Sequence, residues 1–181
     1  MKLETGNSGS IISYNGKTPK IHPTAFICEG VRIIGDVEIA ENVSVWYNTV
    51  IRGDVHYIKI GARSNIQDMS MLHVTNEVYP LVIEEDVSVA HSVSLHGCTL
   101  KKGCLIGIGA IVLDGATVGE GALVAAGALV REGFEVPPYT LFAGLPGKVV
   151  RELTPKEIER VKNTPTNYMK YVATYRELLG K

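Results

Sequence analysis

Residues 100–130 read LKKGCLIGIGAIVLDGATVGEGALVAAGALV. Branched apolar residues return at every sixth position: Leu100, Ile106, Val112, Val118, Val124 and Val130. Small residues keep the same step at Cys104, Ala110, Ala116, Ala122 and Ala128, and a glycine precedes each of them. A step of six matches neither the helical period nor the simple alternation of a half-buried strand. It fits a short strand, a turn and another short strand, with one large apolar side chain per side directed inward. The β-branched residues suit strands, the glycines suit turns, and hexapeptide repeats of this kind build parallel β-helices. Three such sides close one coil of a triangular prism.

The same frame runs upstream. Ile21, Ile27, Ile33, Ile39, Val45 and Ile51 are six apart, as are Ala25, Val31, Val37, Val43, Thr49 and Val55. The frame slips three times. VIRGDVHYIKI (50–60) carries three extra residues between Ile51 and Ile60, HVTNEVYPL (73–81) inserts five before Ile83, and one residue is lost between Leu95 and Leu100. Counting inward positions from Ile21 to Val130 gives eighteen hexads, or six coils. The prism domain spans 11–150, with EVPPYTLFAGLPGKVV (135–150) read as an irregular exit loop. The remainder, 151–181, is a helical tail that packs back on the prism. Thr154 is its N-cap, Pro155 its first residue and Glu157 the capping-box partner. Apolar residues at helical spacing then run to about Leu179, and Gly180 ends the helix.

A chain of 181 residues with 45% hydrophobic and 20% charged content is a globular domain with a sizeable core. A formal net charge of -1 argues against nucleic acid or an anionic membrane as partner. The first ten residues, MKLETGNSGS, lack the apolar core of a leader, and no apolar run approaches the roughly 18 residues of a membrane span. Cys28, Cys98 and Cys104 form no CxxC pair and no even set, which fits reduced thiols in the cytoplasm.

The stretch VSVAHSVSLHG (87–97) holds His91 and His96, five residues apart. On the prism, His73 follows Leu72 and His96 follows Leu95, so both stand at the same place on the same side, one coil apart. Coils separated by roughly 4.8 Å bring two such imidazoles to one point, where a metal with bonds to nitrogen of about 2.0–2.1 Å could take both. His91 lies one side earlier, and five extended residues span up to roughly 16 Å. It therefore joins His73 and His96 only from another chain, as in a threefold homotrimer. Each histidine taken singly also reads as a solvated surface residue, and His22 and His56 are read that way.

The stretches RGDVHYIKIGARSNIQDMSMLHV (52–74) and VSVAHSVSLHGCTLKKGCLIGIGA (87–110) resemble the γ-class carbonic anhydrases, and the resemblance covers nearly the whole chain. It implies a left-handed β-helix; the handedness comes from the resemblance alone, since parallel crossovers are ordinarily right-handed. It implies a catalytic metal at trimer interfaces, Zn2+ with Fe2+ or Co2+ also compatible, held by His73, His91 and His96. It further implies that Arg52 and Asp54 form a subunit-interface ion pair. Gln67 positions the metal-bound water, Asn65 is a nearby polar residue, and Tyr168 lines the site from the C-terminal helix or merely packs there. The expected reaction is reversible hydration of CO2 to bicarbonate by a metal-bound hydroxide. Where the family pattern has two glutamates that move the proton, this chain has Val55 and Asn76, with Glu77 beside the latter and His56 beside the former. Turnover is therefore expected to be low. A CoA-dependent acyltransferase and a metal-binding scaffold subunit are the alternatives that the hexapeptide fold leaves open.

Overall fold

A computed structural model describes residues 9–180; residues 1–8, most of the polar stretch that lacks a leader's apolar core, lie outside them. The fold is a parallel β-solenoid of about seven turns with one C-terminal helix, consistent with a left-handed β-helix. Inward residues of one side stack directly from coil to coil. Ile33, Ile51, Leu72, Leu95, Val112 and Val130 form one such column, and none is more than 1% exposed. Each short strand is held by backbone hydrogen bonds to the coils above and below, so a branched side chain meets its like at the strand spacing of roughly 4.8 Å.

The frame slips fall where the hexad count puts them. Pairing moves from Gly35↔Gly53 to Val37↔Ile58, so the three extra residues form a bulge within 54–57. Ile60 pairs with Ile83 and Leu72 with Leu95, which leaves the insertion as a loop closed by a Thr75–Tyr79 bridge. Leu95 pairs with Val112, one residue short of the usual step, and Gly97 takes the shortened corner with φ 52°.

Two features differ from the expectation. The solenoid is about a turn longer, because Ser10–Ile12 pairs with Arg32–Ile34 at one end, and at the other Val136 and Phe142 continue the step of six from Val130. The stretch 135–150 is also not an irregular loop. Glu135–Val136 and Thr140–Gly144 are solenoid strands, and Gly147–Glu152 turns back antiparallel onto Thr140–Gly144. Pro137 and Pro138 disguised this in the sequence. They sit at a corner, outside the strands, where no ladder N–H is needed of them.

The three outward faces differ in chemistry. The first carries Glu38, Lys59, Val82, Thr99, Thr117 and Glu135 and is solvated. The second carries Ser44, Asn65 and Ser88, then Leu105, Leu123 and Leu141. The helix Pro155–Leu178 packs on this face: Val161 and Leu153 close over Leu123, and Trp46 packs edge-on against Tyr168 and Tyr175 at 5.5 and 5.1 Å. The helix starts as its sequence requires, with Thr154 and Glu157 in a reciprocal capping box and Pro155 in the first turn. The third face carries Val50, Met71, Ser94, Ile111 and Leu129. Among the described residues nothing covers its apolar side chains; Met71 is 50% and Ile111 39% exposed.

Close coil packing makes a testable demand. A Cβ on Gly107 would lie 2.5 Å from the Ala126 nitrogen and 2.7 Å from the Ala125 carbonyl carbon, both backbone atoms that cannot swing away. Gly107→Ala should therefore cost about 1–3 kcal/mol through overpacking, read as a lowered urea midpoint with unchanged slope. An unaltered midpoint would mean that the coils are not this tightly stacked.

Candidate metal centre

The residues singled out in the sequence gather in two groups, one at each edge of the third face. The first lies where the third face turns into the first. His73 and His96 are register partners on Met71–His73 and Ser94–His96. Nδ1 of His73 is 3.1 Å from Nε2 of His96. The other nitrogen of each ring meets a carboxylate: His73 Nε2 is 3.0 Å from Asp54 Oδ1, and His96 Nδ1 is 2.7 Å from Asp114 Oδ1. The chain of contacts extends at both ends. Arg52 donates to Asp54 Oδ2, and the Thr75 hydroxyl donates to Asp114 Oδ2 at 2.7 Å.

These partners decide the tautomers. A carboxylate only accepts, so the imidazole nitrogen facing it carries the proton. His73 then presents a bare Nδ1 and His96 a bare Nε2. Two lone pairs face each other at 3.1 Å, an arrangement that a cation between or beside them relieves. Two imidazole nitrogens bound to one ion at about 2.0–2.1 Å stand about 2.9–3.4 Å apart at octahedral or tetrahedral angles. The donor set thus fits a divalent metal. Burial holds His73 below the ordinary histidine range, with Arg52 pushing the same way and Asp54 opposing, and the neutral ring is the ligating form. Burial pushes the Asp54 carboxyl up, but hydrogen bonds from Arg52 and His73 outweigh it and leave the group below its usual range. Arg52 and Asp54 therefore pair within one chain, and Asp54 serves His73 as well.

The second group lies where the second face turns into the third. Asp68 and His91 occupy one turn position in successive coils, as the hydrogen bond from Ser92 N to Asp68 O requires. Asp68 Oδ2 is 2.9 Å from His91 Nδ1, which leaves Nε2 bare on a half-exposed ring. Next to Asp68, Gln67 donates to Asn65 Oδ1 at 3.0 Å, and Asn65 donates to the Ser88 hydroxyl at 2.8 Å; all three are buried beneath the helix. Tyr168 packs on Trp46. Burial first and the Asp68 charge next push its phenol up to about 12, so it stays protonated. Among the described residues, no three His, Cys, Asp or Glu side chains of the one chain gather around a point.

Asp68 and Asp114 were not singled out in the sequence, although all three histidines turn out to have a carboxylate on the nitrogen away from the open side. Such partners orient metal-ligating histidines and raise their basicity. A signal for Asp68 was present: 23 residues separate it from His91, the offset that also relates His73 to His96. Among the described residues His22 and His56 bond locally, to Thr24 and to the Tyr57 amide. The side chains of Cys28, Cys98 and Cys104 are buried, and burial pushes the thiols of Cys98 and Cys104 up.

A family model described as bacterial transferase hexapeptide (six repeats) matches residues 97–132. A protein of Geobacillus kaustophilus named carbonic anhydrase is 49% identical over 168 residues, covering 93% of this chain and 92% of its own length. A mitochondrial gamma carbonic anhydrase of Arabidopsis thaliana is 40% identical over 157 residues, covering 84% of this chain and 57% of its own. A solved hexapeptide transferase family protein from Anaplasma phagocytophilum superposes with a TM-score of 0.88 at 41% identity, covering 91% of this chain and 97% of that one. The repeat, the paired histidines and these relatives agree: the chain belongs to the γ-class carbonic anhydrase family of hexapeptide-repeat proteins.

Proposed function

We propose that the protein is a cytoplasmic, metal-dependent carbonic anhydrase that interconverts CO2 and bicarbonate at the interfaces of a homotrimer. The observation that carries this reading is the pair of ring nitrogens of His73 and His96, 3.1 Å apart, with the other nitrogen of each ring on a carboxylate. His91, held the same way by Asp68, stands at the opposite edge of the same face. A cyclic assembly that sets one chain's first edge against the next chain's second edge completes a three-histidine site at each contact. The exposed apolar row through Met71 and Ile111 is the surface such a contact would bury.

A divalent ion held there, Zn2+ in preference with Fe2+ or Co2+ also compatible, would supply Lewis acidity and lower the pKa of a water ligand to roughly 7. The chain's own groups do the rest. Asp54, Asp68 and Asp114 keep the donor nitrogens aimed. Asn65 holds one N–H of Gln67, leaving the rest of that amide to orient the reacting oxygen. Tyr168 offers a phenol that remains a donor across the working pH range. Proton removal is the weak step. Val55 and Asn76 share a cleft of about 500 Å³ with Asp54, and its titratable groups near them are His56 and Glu77. Hydration is therefore expected to depend steeply on buffer concentration, with kcat rising several-fold between dilute and concentrated buffer while kcat/KM holds still; a kcat indifferent to buffer would assign proton removal to the protein itself.

Metal content and mass test the site directly. The wild type should carry about one divalent ion per chain and scatter light as a trimer at micromolar concentration. His73→Ala, His91→Ala and His96→Ala should each lose the ion, and unchanged metal in any one of them removes that residue from the ligand set. Mixing His91→Ala with His73→Ala chains under subunit exchange should restore metal at some interfaces, because an intact His91 edge then meets an intact His73 and His96 edge. Confirmed exchange without returning metal would place all ligands in one chain. Acetyl-CoA turnover without CO2 hydration would favour the transferase reading that the name of the solved relative suggests; bound metal with neither activity would favour a scaffold.

A further inference from the structure

Asp114 occupies the first turn position of its hexad. Lys102, Ile108, Glu120, Ala126 and Glu132 occupy that position in the neighbouring hexads, each followed by a glycine with positive φ. A position that takes lysine, isoleucine and alanine has no structural need of a carboxylate. Yet both oxygens of Asp114 are engaged, Oδ1 with His96 Nδ1 and Oδ2 with the Thr75 hydroxyl, each at 2.7 Å.

The surroundings make room for this. Gly97 stands where the coil has lost a residue, and a Cβ there would lie 2.2 Å from Asp114 Oδ1 and 2.7 Å from Tyr79 Cβ. Tyr79 lies across Gly115, whose own Cβ position is 3.0 Å from the ring. Thr75 and Tyr79 belong to the five-residue insertion and are tied by a backbone bridge. The insertion and the shortened corner belong to the two coils before Asp114, and both reach this one side chain. At the same position of other hexads Gly103, Gly109, Gly127 and Gly133 have nothing within 4 Å, while Gly121 meets the Tyr139 ring.

We propose that Asp114, braced by Thr75, is a positioning residue: it holds His96 as the Nδ1–H tautomer and so directs its Nε2 lone pair toward His73. The consequence for metal affinity rests on the metal-dependent reading above; the tautomer does not. A carboxylate partner on a ligating histidine typically accounts for 10–100-fold in metal affinity.

The test uses metal-free full-length protein with 15N-labelled histidine at about pH 8.5, some two units above the ordinary histidine pKa of ~6.5. Long-range 15N–1H correlation should show wild-type His96 protonated on Nδ1. Asp114→Ala, with the residue that the same turn position holds at Ala126 on another edge, should move the proton largely to Nε2. Asp114→Asn keeps an acceptor oxygen and should restore the Nδ1–H form. Zn2+ affinity, read by competition with a chromophoric chelator, should fall about 10–100-fold in Asp114→Ala, less in Thr75→Val, and recover substantially in Asp114→Asn. An unchanged denaturation midpoint in Asp114→Ala separates this from unfolding, and Thr75→Val provides a second, milder probe. If His96 in folded Asp114→Ala remains an Nδ1–H tautomer, the proposal is overturned. A wild type that binds no Zn2+ would instead sink the metal-dependent reading, while the tautomer comparison would still decide the role of Asp114.

Discussion

Every coil of this molecule is obliged to return to hydrogen-bonding register with the coil before it. The side-chain period of a strand is two, so a slip of one residue would turn the whole inward column of Ile, Leu and Val out to solvent. Surplus or missing residues can be absorbed only at corners and must be settled before the next strand begins. The chain does this three times, with the bulge within 54–57, the Thr75–Tyr79 loop and the shortened turn at Gly97. All three fall at the same edge of the prism, where the third face turns into the first. That edge is also where Asp54, His73, His96 and Asp114 meet. At a regular edge, stacking of one turn position on the next brings Asp68 to His91 and no more. The irregular edge gathers two imidazoles and two carboxylates, drawn from residues that do not share one column.

The three faces divide the remaining work. Charged and hydroxyl side chains keep the first in water. The second begins with Ser44, Asn65 and Ser88, continues into leucines, and is closed by the helix, with a Trp46–Tyr168–Tyr175 aromatic cluster at one end and Leu123, Leu153 and Val161 at the other. Burying Asn65 and Gln67 there is tolerable only because their amides satisfy one another and Ser88. The third face is left apolar and uncovered between the two histidine-bearing edges. In the trimeric reading this is the surface that a neighbouring chain would cover, in contrast to the first.

How much of this could be read from the chain follows from which contacts are local. The hexad columns, the sizes of all three frame slips and the pairing of His73 with His96 rest on counting along the sequence, and the structure keeps each of them. The helix start was legible because Thr154, Pro155 and Glu157 act on one another within a turn. The carboxylate partners were not. Asp68 and Asp114 lie 23 and 18 residues from the histidines they serve, at turn positions that elsewhere hold lysine or alanine, so nothing local marks them. The face that the helix covers was missed for a related reason: Leu105, Leu123 and Leu141 are outward residues 18 apart, and their apolar row is visible only once the coils are stacked. The last coil was hidden by Pro137 and Pro138, which punctuate a loop in most contexts but here only mark a corner.

The antiparallel strand Gly147–Glu152 has a bearing on how long such a molecule can be. A parallel solenoid has no intrinsic last coil, because its final strands present the same donors and acceptors that every earlier coil used to receive the next. A second molecule's first coil could in principle stack there and begin a fibre. Reversal of the chain after Gly144 puts a strand of opposite polarity on Thr140–Gly144, with Gly147 laid against the Phe142 ring and the Leu129 carbonyl. An incoming parallel coil then finds the wrong spacing of backbone groups on that face. On that face the chain thereby ends its own repeat, and a unit that could be extended indefinitely meets a stop written into its own backbone.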